Sequence, residues 1–376
     1  IDESTDIITG KQSLTYYNNS PDTLHELFFH LYQNAFQPGS YLHDLQMANG
    51  VKPSYGKYEA ARQGTTIEKI QIYNHASAQS QTPEIEIDNT ILKVKLLQPL
   101  LPNDSSVIHL QFRTFYDNGS TRRRMKKYNA WNFKHFNGCQ WYPKGCVYDA
   151  HSGWNTDQHL NREFYGNFGT FEVELTFASN YIVEATGVLL NEAEVLPDTL
   201  KQQLHIRNFA QKKWNEKPGI PIPYKRGITK TWKYRAINVH DFAFTADPTY
   251  RIADTTITLN NGNQVKCVAI AQEPHCSGWQ NAHEYCAKII GTFSRDFGNY
   301  EYPKMVVADA ADGMEYPMLT LDGGKDPEYR GLLVHEVGHN WFYGMLGNNE
   351  TYRAMMDEGF TQFITAWGLE HIDQTD

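Results

Sequence analysis

Hydrophobic and polar positions alternate along most of the first two-thirds of the chain. Ile85-Glu86-Ile87, Val94-Lys95-Leu96, Val107-Ile108-His109-Leu110-Gln111-Phe112 and Phe171-Glu172-Val173-Glu174-Leu175 all repeat at period two. That period sends successive side chains to opposite faces of a strand. Clusters of Gly, Pro, Asn and Asp between these runs read as turns. Helical periodicity is scarce up to about residue 245, so an antiparallel sheet domain is expected, a sandwich or a saddle. The pattern changes near Ala246-Asp247-Pro248. Thr256-Ile257-Thr258-Leu259 runs into Asn261-Gly262, a hairpin signal, and a strand is expected around 265–270. Trp279, Ala282, Cys286, Ile289, Phe293 and Phe297 recur at three and four. They form one apolar helix face, with Ser277 as the cap and the helix starting near Gly278. Met305-Val306-Val307-Ala308 predicts a buried strand, and helices are expected to dominate from about Pro327. The expected fold class is α+β: a β-rich domain over 1–246 and a mainly helical one over 247–376.

Composition narrows the partners. The 376 residues suffice for two or three domains, and 40% hydrophobic content supplies their cores. A net charge of −9 argues against nucleic acid or an anionic membrane, both of which attract basic faces. The basic run Arg122-Arg123-Arg124-Met125-Lys126-Lys127 is expected to be a solvated loop. No stretch has the ~18 apolar residues of a transmembrane segment. Five cysteines without C-x-x-C spacing are expected to be reduced, with Cys139 and Cys146 the one pair considered for a bridge. The chain opens on Ile1 without a leader. A processed or cut chain is expected.

The chemistry concentrates in Leu332-Leu333-Val334-His335-Glu336-Val337-Gly338-His339. Residues four apart on a helix stand one turn above each other, so His335 and His339 can aim at one metal. Glu336 follows the first histidine and can reach a water beside that metal. Eighteen residues separate His339 from Glu358. The intervening Gly347-Asn348-Asn349 is expected to end the first helix, and a second, packed antiparallel, would bring Glu358 in as third ligand. Two histidines and a carboxylate leave one position for water, the pattern of a catalytic zinc site. One Zn2+ per chain is expected, with Glu336 as general base. The plain alternative, two packed histidines that happen to lie four apart, does not explain Glu358. His135 and His240 lie in aromatic strand contexts and are expected to be core residues.

These residues resemble the M1 (gluzincin) zinc aminopeptidases of bacterial type. H-E-x-x-H, eighteen residues and Glu is that family's spacing. Asp357-Glu358-Gly359-Phe360 is similar to its N-E-G-F segment, and Asp312-Gly313-Met314-Glu315-Tyr316 to its exopeptidase motif G-x-M-E-N. The resemblance implies a saddle-like N-terminal domain and a thermolysin-like catalytic domain, incomplete at its C-terminus. It also implies a peptide substrate with a free N-terminus, whose α-amine Glu315 holds, with Gly313 and Met314 beside it and Gln140 on a nearby strand. Together with the missing Met, the resemblance implies an exported, periplasmic or extracellular, bacterial protein. Three departures stand out. Tyr316 replaces the motif's Asn, Tyr343 replaces a frequent Gly, and the family's catalytic Tyr would fall beyond Asp376. Turnover is therefore expected to need the missing C-terminal portion of the same enzyme. The alternatives are a gluzincin endopeptidase, a catalytically silent scaffold of the same fold, and, within the family's habits, an added epoxide-hydrolase activity.

Overall fold

The computed structural model describes residues 1–74, 80–120 and 124–373. Contacts group the chain into two compact units, 1–126 with 140–167, and 127–139 with 168–376. The fold is α+β.

The first unit is a sandwich of two antiparallel sheets. One runs Ile7–Tyr17, Ser105–Phe115, Thr65–Asn74, Ser80–Gln81, and the other Lys144–Gly145, Leu24–His30, Ile91–Leu100, Ile85–Asp88. Period-two alternation explains the packing. Ile108 and Leu110 point inward from one sheet and meet Leu27, Phe29, Leu92 and Val94 of the other in a single core. Each such side chain contributes about 1.5–3 kcal/mol when buried. The alternating stretch Ile85–Asp88 behaves differently. It is an edge strand with all four residues exposed, because no layer covers either of its faces. The basic run also departs from expectation. Arg122 and Arg123 lie outside the described residues, but Arg124 is no solvated side chain: its guanidinium grips Glu163 at 2.6 Å, both largely buried. Paired charges can be buried where lone ones cannot.

The second unit holds three sheets. Two are antiparallel: Ile182–Ala185, Phe244–Asp247, Phe133–Gly138, Lys127–Ala130, and Gly169–Ala178, Thr229–Val239, Val188–Leu189. The third is mixed, in the order Tyr250–Thr258, Gln264–Gln272, Lys304–Asp309, Leu319–Asp322, Met314–Tyr316. Its middle pairs are parallel and buried on both faces. That is why 305–308 reads as an unbroken apolar run. The change of periodicity near 246 falls inside this unit. Ala236 and Val239 share one core with Ala253, Ala269, Phe293 and Leu333, so the strands before and after that point pack together. The compact units part near 126, 139 and 167 instead.

Helices cover the mixed sheet. Ala282–Phe297 buries the predicted face, Ala282, Cys286, Ile289 and Phe293. It begins later than expected: Glu273–Gly278 takes a 3-10 turn first, and Asn281, not Ser277, stands at the cap. Arg330–His339 carries the H-E-x-x-H motif and continues as a π-helical turn over Asn340–Met345, so the helical run closes just before Gly347. Phe360–Asp373 packs across it. Gly368 permits the close approach, since a Cβ there would lie 2.8 Å from Phe293 and Val334. All five cysteines are free and buried. Among the described residues no helix is long and apolar enough to cross a membrane.

Candidate metal centre

The motif helix and the turn Met355–Gly359 bring three ligating atoms together. His335 Nε2 and His339 Nε2 are 3.0 Å apart. Glu358 Oε2 lies 3.5 Å from the first and 3.7 Å from the second. The point equidistant from all three is about 2.0 Å from each, a zinc–nitrogen and zinc–oxygen bond length.

Proton positions favour the same conclusion. His335 Nδ1 meets Thr365 Oγ1 at 3.2 Å, and that hydroxyl donates to the Thr361 carbonyl at 2.7 Å. The hydroxyl oxygen is left to accept, so His335 carries its proton on Nδ1. His339 Nδ1 donates to the carboxylate of the wholly buried Asp357. Both Nε2 lone pairs then face one point, an arrangement that repels unless a cation occupies it. A proton bridges two atoms; a metal engages all three. The same field acts on His339 itself. Burial pulls its imidazole down, but Glu315, then Asp357 and Glu358, outweigh burial and hold the pKa at about 9.

Two more carboxylates crowd His339. Glu315, Glu336 and His339 place ligating atoms within 4.8 Å of one another, and all three are buried. Glu336 follows His335 on the helix, and the backbone of Gly313 lies against it: a Cβ there would sit 3.0 Å from Glu336 Oε1. A side chain at this position would press on the carboxylate, which would have to shift by a few tenths of an ångström. Glu315 sits on the edge strand Met314–Tyr316, opposite Thr320. Met314 is fully buried beside it. Asn340 ties this hairpin to the motif helix, accepting the Met318 amide at 3.0 Å on its side-chain oxygen.

Gln140 belongs to the first unit, buried, with backbone in the left-handed region at φ 48° and its carbonyl accepting from Gln33 Nε2 at 3.2 Å. His135 bonds Asp247 and Asn137, and His240 bonds the Tyr343 carbonyl at 2.8 Å; both have packed, satisfied roles. Three contributors went unnoticed in the sequence: Asp357, Thr365 and Asn340. The one available signal was Asp357, an acid where the resembling motif carries Asn.

No family model matches the sequence, and no curated protein does. Solved structures do match. The M1 zinc metallopeptidase of Deinococcus radiodurans, as a point mutant, superposes with a TM-score of 0.63 at 13% identity, over 98% of this chain and 68% of that one. A complex of that mutant with a Tyr-Ser-Ala substrate gives 0.62 at 13% over 99% and 68%. An M1 enzyme bound to L-tryptophan gives 0.60 at 13% over 99% and 68%. The likeness is one of fold.

Proposed function

We propose that this chain is the zinc-binding part of an aminopeptidase. The observation that carries the reading is the triangle of His335, His339 and Glu358 atoms, sized for zinc, with both imidazole protons held on the far side. His335, His339 and Glu358 would hold one zinc ion. Zinc, when bound, lowers the pKa of a coordinated water and polarises a carbonyl. Glu336 takes the proton of the attacking water and returns it to the leaving amine. It is buried beside His339, next to the point the three ligating atoms share. Glu315 holds the free α-ammonium of a peptide, a buried anion being a stop that only a cationic terminus satisfies. The Gly313 backbone keeps the base and the substrate main chain close.

The exposed apolar side chains Met355, Met356, Phe360 and Phe363 run alongside Glu358, which is itself half exposed. The substrate class is tested with one peptide in two forms, free and N-acetylated. The free form is cleaved and the acetylated form resists; equal cleavage of both makes the protein an endopeptidase.

A further inference from the structure

We infer that Asp357 is a positioning residue for the metal, and that its negative charge, beyond its hydrogen bond, strengthens His339 as a ligand. The inference rests on the zinc reading above. Consecutive residues bracket one imidazole from both sides: Glu358 faces Nε2 at 3.7 Å and Asp357 takes the proton on Nδ1. Neighbours on the π-helical turn Met355–Gly359 point in different directions, so one turn can serve both edges of a ring lying across it. The two histidines are held unequally. His335 rests on a neutral hydroxyl and is partly exposed, whereas His339 and its carboxylate partner are 1% and 0% exposed. A buried anion on the far nitrogen pushes electron density to the near one and fixes both ring angle and tautomer. Asn at this position would accept the same hydrogen bond without the charge. The departure from the resembling motif is therefore a gain of basicity with no change of geometry.

The test is zinc affinity, read by chelator competition, in the wild type, Asp357→Asn and Thr365→Val. The zinc dissociation constant should rise 10–100-fold in Asp357→Asn, the usual range for such supporting partners, and by less in Thr365→Val. An Asn variant that binds as tightly as the wild type, or that loses no more than Thr365→Val, overturns the inference. So does a lower melting temperature of the metal-free Asn variant with unchanged zinc affinity, which marks a merely structural residue. Proton NMR of the zinc-loaded wild type needs no variant. The His339 Nδ1 proton should resonate downfield of the His335 one, and coincident signals refute the charged hydrogen bond. A wild type that binds no stoichiometric zinc sinks the metal reading itself, an outcome distinct from all of these.

Discussion

The two units hold buried acids in different ways, the Arg124–Glu163 pair of the first unit aside. In the sandwich, Asp117 accepts the backbone amides of Tyr58 and Glu59 at 2.6 and 3.0 Å, and Glu59 accepts that of Gly56 at 2.9 Å. Those carboxylates cap the short helix Lys57–Ala60 through backbone amides, Asp117 from 59 positions along the chain. In the second unit buried acids reach across the fold to cationic or ring nitrogens: Glu184 to Lys304, Glu273 to Arg251, Asp309 to His275, Asp357 to His339. Around His339 several acids share one partner. An acid that caps backbone amides builds a fold. Acids that converge from separate elements on one point mark a place where a cation is meant to be.

Glu336→Gln tests that contrast most severely. Loss of the base should cut kcat by roughly 10²–10⁴-fold while zinc content and melting temperature hold. Full activity in the variant would refute the assigned role. Leu92→Ala in the sandwich core should do the reverse, costing about 2–5 kcal/mol in denaturant unfolding with zinc affinity unchanged. If it loosened the metal instead, the division of labour between the units would fail. The smallest expected effect concerns Asp322, wholly buried at the end of its strand. Burial pushes its carboxyl up to about 8, against a restraining hydrogen bond from Thr320. The folded state thus keeps a proton that the unfolded chain releases near pH 4. Stability from this group is greatest at low pH and falls as pH rises from about 4 to about 8. Asp322→Asn, a mimic of the protonated acid, should flatten that fall when urea midpoints are compared at pH 5 and pH 8. A slope identical to the wild type would show the acid to be ionised in the fold.

Much of this was legible in the chain. Strand alternation and the apolar run at 305–308 located the sheets, because each reports directly which faces are buried. The two candidate histidines come together because a helix converts a gap of four into a common direction. The sequence was silent where the outcome depends on what covers an element. Ile85 and Ile87 alternate like core residues yet line an edge. Arg124 looked solvated, and its partner Glu163 lies 39 positions away. The unit boundaries follow packing, which the shift of periodicity near 246 did not report. Thr365 and Asn340 act through bonds to residues 30 and 22 positions distant, and no local pattern encodes such pairs.

Asn340 has a consequence for what the enzyme would release. It follows His339 directly, and through the Met318 amide it fastens the hairpin that carries Glu315. On the proposed reading one end of this clip stands at the scissile bond and the other at the peptide's first nitrogen. The span between them decides whether single amino acids or dipeptides leave at each cut. On that reading the buried amide oxygen would act as a length gauge, and loosening it would blur product size before it slowed the reaction.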